Sequence, residues 1–337
     1  MTDHAPRRLR VKEVIAETHD ARSLVFEGPP LDYRPGQFLT LRIPSDLEPT
    51  ARCYSLSSSP HVDELLKVTV KRTTGGYGSN WVCDTVVAGT ELEVLPPAGH
   101  FSPRDLDTDL LLCAGGSGIT PIVSIIKSAL QVGRRRIVVL YANRDESSVI
   151  FADELAALSA SHSDRLVVLH WLESVQGLPS VVQLRELLRP YADFSAYLCG
   201  PAPYMAAVER ALAELAVPRD RIHVERFQSL ASAPWDAPVD IVEDGGPTAT
   251  VHVDLDGTTT QLAWPRSTRL LDLLLAKGLD APYSCRQGNC SACACKLVSG
   301  EVTMVANSVL EQEDLDEGWV LACQSLPVSD VVSVSYD

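Results

Sequence analysis

The chain of 337 residues contains no apolar run long enough to cross a bilayer, so a helical membrane span is not its organising feature. Its most apolar stretch, Leu110 to Leu130, is interrupted by Gly115, Gly116, Gly118 and Pro121. Met1 to Arg10 is polar and basic and lacks the apolar centre of a secretory leader, which makes the cytoplasm the expected compartment. Positive charge is scarce. Only 29 Lys and Arg stand against 44 Asp and Glu, a formal net charge of -15, which argues against nucleic acid and for soluble partners with basic docking faces. The 8 His are dispersed, with no ligand-spaced pair on one helix, which argues against catalytic zinc and against His-bearing Rieske ligation.

Cysteine, by contrast, is present in a pattern. Nine occur, an odd number, and those outside one C-terminal group are scattered, which favours a reducing compartment over a disulfide scaffold. Cys285, Cys290, Cys293 and Cys323 stand as C-x4-C-x2-C with 29 residues between the third and the fourth, the plant-type spacing for a 2Fe-2S cluster. Three thiolates from one tight loop and one from a distant segment can surround two bridged irons. Gly288, Ser291 and Ala292 keep that loop small enough for backbone N-H groups to turn toward sulfur. A structural zinc site is the alternative, although such sites pair two short C-x2-C knuckles. Cys295 is not needed as a ligand and reads as a buried small residue.

Length predicts two or three domains, and a composition of 45% hydrophobic and 22% charged residues allows each a core. Between Val11 and Val94 the pattern is of short strands, among them Val11 to Ile15, Ser23 to Phe26, Phe38 to Ile43 and Leu65 to Val70, which predicts a small antiparallel barrel. From Leu106 strands alternate with helices: strands at Leu110 to Ala114, Arg136 to Tyr141, Leu166 to His170 and Ala196 to Cys199, and helices near Asp153 to Ser159, Val181 to Leu188 and Tyr204 to Leu215. That rhythm predicts a parallel α/β domain. The expected divisions are 1–105 for the barrel, 106–230 for the α/β domain, a Pro- and Gly-bearing linker at 231–248, and a cluster module at 249–337. That module holds 12 Asp and Glu against 5 Lys and Arg, a docking field for a basic acceptor. Its run from Glu311 to Glu317 reads equally as solvated surface.

Several short motifs suggest cofactor chemistry. In Arg52-Cys53-Tyr54-Ser55 alternation places Arg52 and Tyr54 on one face, suited to a phosphate fork and a flavin ring with Ser55 beside it; an exposed strand with a stray arginine is the plain alternative. Lys71 precedes Gly75 to Trp81, where a glycine turn opens a helix and the N-H groups of Gly78 and Ser79 can cradle a pyrophosphate, or simply make a turn. Gly115 to Pro121 follows a buried strand and opens a helix, the setting of a phosphate-binding loop, with Pro121 where a strict G-x-G-x-x-G has glycine. Cys199-Gly200-Pro201 ends a strand, where open parallel sheets hold ligands, although burial as a structural thiol is the default for Cys199. Glu225 and Phe227, in Val224 to Phe227, can share a face at a flavin ring or belong to an edge strand.

Taken in order, Arg52 to Ser55, Gly76 to Ser79, Gly115 to Pro121, Cys199 to Pro201 and Val224 to Phe227 resemble the motif series of the ferredoxin-NADP reductase superfamily. The C-terminal ferredoxin pattern makes the whole similar to an oxygenase reductase. Within that group it looks most like the reductase components of bacterial 3-ketosteroid 9α-hydroxylases, with phenylacetyl-CoA oxygenase reductases sharing the domain order. The resemblance implies FAD on an antiparallel barrel, a nicotinamide nucleotide on a parallel α/β sheet, and a 2Fe-2S cluster on a β-grasp module. By that resemblance Arg52, Tyr54, Ser55, Lys71, Gly78 and Ser79 hold FAD, with Thr120 near its ring. Gly116, Gly118, Thr120, Cys199, Gly200 and Pro201 meet NAD(P)H, while Ser55, Cys199 and Glu225 frame the hydride path. Phe227 takes the place of the family's frequent terminal tyrosine. The expected route runs from NADH through FAD and the cluster to a terminal Rieske-type oxygenase, the flavin dividing a two-electron hydride into single electrons. Both nucleotide signals occur at Asn143 to Glu146, where Arg144 suits NADPH and the acids suit NADH; the resemblance leans to NADH. A monomer is the expected state, and a redox-sensing iron-sulfur regulator is the reading from a different functional class.

Overall fold

The computed structural model describes residues 6–45, 50–227, 247–255, 257–310 and 312–336. Most of the expected linker, 231–246, lies outside the described residues. The chain divides into two compact units, one of Arg8–Ile43 and Cys53–Phe227, the other of Met1–Arg7, Pro44–Arg52 and Gln228–Asp337.

The short N-terminal runs form β1 (Arg7–Thr18), β2 (Ala21–Glu27), β3 (Phe38–Ile43), β4 (Thr50–Ser55) and β5 (Leu66–Lys71), then helix α1 (Tyr77–Thr85) and β6 (Glu91–Ala98). Their sheet order is β4-β3-β6-β1-β2-β5. Alternation does what period two requires: Leu9 and Val11 are buried while Arg8 and Arg10 are exposed. Just past β4, Leu56 bridges Val68 of β5, and the Ser57 N-H donates to the Lys67 carbonyl at 2.7 Å. This joins the two edge strands and closes the sheet toward a barrel around Leu24, Phe26, Leu41, Leu56 and Val70.

The next elements are β7 (Leu110–Gly115), α2 (Ile119–Val132), β8 (Ile137–Asn143), α3 (Ala152–Ser161), β9 (Leu166–Leu172), α4 (Glu173–Gln176), α5 (Val181–Leu188), β10 (Ser195–Cys199), α6 (Ala202–Glu214) and β11 (Ile222–Glu225). The strands pair in parallel in the order β11-β10-β7-β8-β9. β7 is buried throughout because both its faces are covered. Leu110, Leu112 and Ala114 join one core with α2, whereas Leu111 and Cys113 join another with α5 and α6. The chain runs from β7 outward to β9 on one side and then returns to β10 on the other. The C-terminal ends of β7 and β10 therefore flank the crevice where such sheets take ligands.

A buried polar seam ties the barrel to α2. Lys127 Nζ lies 2.7 Å from Asp63 and 3.1 Å from Glu154, and Lys67 reaches Glu154 at 3.3 Å. Beside them Ser124 Oγ donates to the Ser58 carbonyl at 2.5 Å, and the Ser59 and Ser128 hydroxyls meet at 2.8 Å. Such a network holds register between the two layers even where its net contribution to stability is small.

The C-terminal module contains β12 (Thr248–Leu255), β13 (Thr258–Pro265), α7 (Leu270–Ala276), β14 (Ala294–Ser299), β15 (Val302–Met304), α8 (Gln312–Asp316), β16 (Trp319–Leu321), β17 (Ser325–Pro327) and β18 (Val331–Ser335). A β12-β13 hairpin pairs through β12 in parallel with β18, giving the mixed order β13-β12-β18-β14-β16, with β15 and β17 forming a small second sheet. Leu270, Leu271, Leu273 and Leu274 of α7 are buried against Trp264, Val251 and Val332, the grip of one helix on a mixed sheet that defines a β-grasp. The three expected fold types are all present.

Candidate functional site

At the crevice the parallel register sets one row across neighbouring strands: Glu225 opposite Cys199, Cys199 opposite Ala114, and Ala114 opposite Tyr141. Beyond that row two loops touch backbone to backbone. A Cβ on Gly118 would stand 2.0 Å from the Cys199 carbonyl oxygen, and one on Gly200 would stand 2.9 Å from the Gly115 nitrogen, so only glycine allows this approach. Pro201 packs its Cδ over Gly115 and leads into α6. The segment expected as a glycine loop before a helix is a single 3-10 turn, Gly116–Gly118, running straight into α2, with Gly116 at φ 53°. No side chain caps α2, and its first turn holds no acid, which leaves a positive helix end beside the loop. Thr120 is buried, and its hydroxyl donates to the Ser117 carbonyl at 3.0 Å.

Burial shapes the chemistry of this row. Cys199 is fully buried; loss of solvation, and then the nearby Glu225 carboxylate, push its thiol well above the ordinary value. Glu225 keeps part of its surface, yet desolvation raises its carboxyl from 4.5 to about 7. Phe227 is half exposed just beyond it.

On the barrel side Ser55 is buried at the end of β4, and Tyr54 packs against the barrel core. Arg52 donates to Thr50 Oγ1 at 2.7 Å and to the Ala51 carbonyl at 2.6 Å. Gly78 and Ser79 are buried in the first turn of α1, a helix with no side-chain cap and no acid in that turn, a fit to a pyrophosphate. Ser79 Oγ accepts the Thr73 N-H at 3.0 Å, bending the glycine turn into the helix. Lys71 ends β5 with its Nζ 3.9 Å from where a Gly116 Cβ would lie, so the barrel strand and the nucleotide-side loop share one cleft. Desolvation lowers the Lys71 pKa, and the Asp20 carboxylate 3.8 Å away partly offsets it.

Two residues of this cleft were not singled out from sequence. Tyr141, buried in the aliphatic β8, donates to the Gly116 carbonyl at 3.1 Å while its oxygen accepts the Ile150 N-H at 3.2 Å, pinning the glycine turn from the neighbouring strand. A lone tyrosine amid Val and Leu was the available signal. Asp20 lies in the turn between β1 and β2, with nothing in its local sequence to mark it.

In the C-terminal module all four expected cysteines come together. Cys285 and Cys290 form one close pair and Cys293 and Cys323 another, with Cys285 also within reach of Cys323. The backbone supplies the donors. Cys290 Sγ accepts the Cys285 N-H at 3.3 Å, Cys285 Sγ accepts the N-H groups of Gln287 and Asn289 at 3.3 Å, and Cys293 Sγ accepts that of Cys323 at 3.5 Å. Hydrogen bonds from the Cys290 and Cys323 thiols, together with these N-H groups, hold the Cys285 pKa well down. Four thiols in two pairs with inward N-H donors are the donor set a two-iron cluster takes. Left-handed backbone at Arg286, Gly288 and Ser291 turns those N-H groups inward, and at Gly288 the Ala306 carbonyl leaves no room for a Cβ. Sequence reading missed two supports. Arg286 binds Asp272 of α7 at 2.6 Å, and Gln324 Nε2 donates to the Arg286 carbonyl at 3.1 Å and to Cys323 Sγ at 3.4 Å. Cys295 is fully buried in the module core.

Family comparison agrees with this division of labour. An oxidoreductase FAD-binding domain matches residues 8–102, an oxidoreductase NAD-binding domain 112–210, and a 2Fe-2S iron-sulfur cluster binding domain 253–328. The ferredoxin reductase component of 3-ketosteroid-9-alpha-monooxygenase from Mycolicibacterium smegmatis is 57% identical over 98% of this chain and 96% of its own. A subunit of the 1,2-phenylacetyl-CoA epoxidase of Escherichia coli is 35% identical over 98% and 97%. Phthalate dioxygenase reductase shares the fold at 23% identity, with a TM-score of 0.60 and 98% of each chain covered. The chain therefore belongs to the family of ferredoxin reductase components of oxygenases, oxidoreductases that work with FAD, a nicotinamide nucleotide and a 2Fe-2S cluster.

Proposed function

We propose that the protein oxidises NADH and passes the electrons singly to a terminal Rieske-type oxygenase, the 3-ketosteroid 9α-hydroxylase of a steroid-degrading system. The observation that carries this reading is the 57% identity across nearly the whole of both chains. The 35% identity to the phenylacetyl-CoA epoxidase subunit supports a second reading, in which the acceptor is an oxygenase acting on an aromatic acyl-CoA. We place the protein in the cytoplasm as a monomer, with functional divisions at 1–105, 106–230 and 249–337 and a linker at 231–248. Among the described residues no helix is long and apolar enough to cross a membrane.

When bound, FAD accepts a hydride and releases its electrons one at a time, and a 2Fe-2S cluster carries single electrons. In this reading Arg52, Lys71 and the α1 start at Gly78 and Ser79 neutralise the FAD phosphates. Tyr54, Ser55 and Phe227 would bound the flavin ring, with Thr120 near it. Gly116, Gly118, Gly200 and Pro201 give the nucleotide backbone approach to the positive end of α2. Cys199, its thiol raised by burial, would serve as a neutral wall, Ser55 would offer a hydroxyl to the ring, and Glu225 would supply a carboxylate that favours positive charge on the nicotinamide. Cys285, Cys290, Cys293 and Cys323 ligate the cluster.

The test is anaerobic titration of the purified holoprotein with NADH and with NADPH, following flavin and iron-sulfur absorption together. Purified 3-ketosteroid and phenylacetyl-CoA oxygenase components are then offered as acceptors. Bleaching of both chromophores and turnover with the steroid oxygenase are expected. A flavin that bleaches while the cluster stays oxidised refutes the electron route, and turnover with the acyl-CoA oxygenase alone moves the assignment to the second reading.

A further inference from the structure

The last strand of the C-terminal module carries an unpartnered hydroxyl into the core that holds Cys293 and Cys323. β14 and β18 run antiparallel with Lys296 opposite Ser335 and Leu297 opposite Val334, and the next step of that register sets Cys295 opposite Tyr336. Directly opposed residues on one face of a sheet stand about 5 Å apart at Cβ, so their side chains can meet. The Tyr336 N-H donates to the Asp254 carbonyl of β12 at 2.9 Å, which fixes this end of β18 against the sheet. The ring packs on the module core. Its hydroxyl is sealed from solvent with Cys295 in reach, and it completes no hydrogen bond among the described residues.

Cys295 in turn shares a face with a ligand. The Ala322 N-H donates to the Cys293 carbonyl at 3.1 Å, which carries the β14-β16 ladder back one residue beyond Ala294, so period two puts the Cys293 and Cys295 side chains on the same side. Both are buried, at 2% and 0% exposure. A tyrosine O-H and a cysteine S-H together hold two hydrogens, and a bond between them uses one. The other lies in a dry core and costs free energy unless an acceptor meets it. A ligating Cys293 is a thiolate, and it supplies that acceptor.

We propose that Tyr336 and Cys295 form a hydrogen-bond relay to the Cys293 sulfur, the tyrosine O-H donating to Cys295 Sγ and the cysteine S-H donating to Cys293 Sγ, and that this relay raises the reduction potential of the cluster. The inference rests on Cys293 being a cluster ligand. Reduction adds negative charge to the cluster, and a donor to a ligand sulfur is worth more after that charge arrives than before. Tyr336 acts through Cys295 and is a positioning residue: its hydroxyl occupies the thiol sulfur and leaves the thiol hydrogen for the ligand. A ring wanted for packing alone would serve as well without its oxygen.

The experiment is potentiometric titration of the full-length holoprotein, followed by the EPR signal of the reduced cluster, with iron and acid-labile sulfide per chain measured for every variant. Tyr336→Phe is expected to keep wild-type iron and to make one-electron reduction of the cluster about fivefold less favourable, a fall of about 40 mV at about 59 mV per tenfold. Cys295→Ala should lower the potential at least as far, and adding Tyr336→Phe to it should lower it no further, because both changes cut one path. Cys295→Ser, which keeps a donor, should stay within about twofold of the wild-type equilibrium. A wild-type potential in Tyr336→Phe, or falls that add in the double variant, overturns the proposal. Should Tyr336→Phe lose its iron, the two Cys295 variants decide: a gap of about fivefold between serine and alanine supports the relay, and equal potentials overturn it. If the wild-type chain binds no iron, the ligand reading and this inference fail together; if it binds a 2Fe-2S cluster whose potential ignores Tyr336→Phe, only the relay fails.

Discussion

Cys285 in the cluster loop and Cys199 in the nucleotide crevice are both buried, at 1% and 0% exposure, yet their thiols are driven in opposite directions. Cys285 is drawn down by neighbouring thiols and by the N-H groups of Gln287 and Asn289, whereas Cys199 is pushed up by desolvation and the Glu225 charge. Cys113, inside β7, follows Cys199, raised by burial alone to about 12. Burial therefore does not decide what a cysteine can do. Neighbouring groups decide it: partner thiols first, and then backbone N-H groups from left-handed turns, lower Cys285, whereas the partner thiols raise Cys323 of the same group.

The largest expected effect is at the donor-rich side. Cys290→Ala removes one of two paired thiols, so iron content and the cluster's visible absorption should be lost and oxygenase turnover should stop, while NADH still bleaches the flavin. Flavin and cluster failing together would show that the two regions are not independent. A smaller effect is expected from Gln324→Leu, which keeps every ligand and deletes the 3.4 Å donor to Cys323. Iron retention should weaken by about tenfold, and the cluster potential should fall, since loss of a hydrogen bond to sulfur destabilises the reduced, more negative state. Potentiometric titration checks this, and an unchanged potential would assign Gln324 to loop packing alone.

The smallest effect concerns the donor-poor side. Because the folded Glu225 carboxyl titrates near 7 rather than at 4.5, the folded state holds a proton that the unfolded chain has already released between those values. Stability should fall as pH rises from 4.5 through about 7, and flavin reduction by NADH should quicken over the upper part of that range as the carboxylate forms. Glu225→Gln should flatten both profiles, as read by denaturant midpoints and stopped-flow rates. A slope that persists in the variant would place the titrating group elsewhere.

The cluster loop is legible almost completely in the order of its residues, because C-x4-C-x2-C and its distant fourth cysteine are a local constraint on ligand geometry. The parallel sheet is equally legible, since β7, buried on both faces, leaves an uninterrupted apolar run ending in glycine. Less was visible where the chemistry depends on residues far apart in the chain. Tyr141 reaches Gly116 across the sheet, Gln324 reaches back to Arg286, and Asp20 meets Arg144, 124 positions away.

Spacing, period and glycine placement settle the covalent neighbourhood and the local turn, so the cluster motif, the strand rhythm and the two glycine loops follow from the chain alone. Which charge compensates which, and how far each thiol is stripped of donors, depends on contacts that exist only after strands have paired and loops have met. Arg144 read in isolation is an uncommitted cation. Arg144 held at 3.2 Å by a mostly buried carboxylate does not present the same charge, because Coulomb energy depends on distance and solvent exclusion, and the fold sets both.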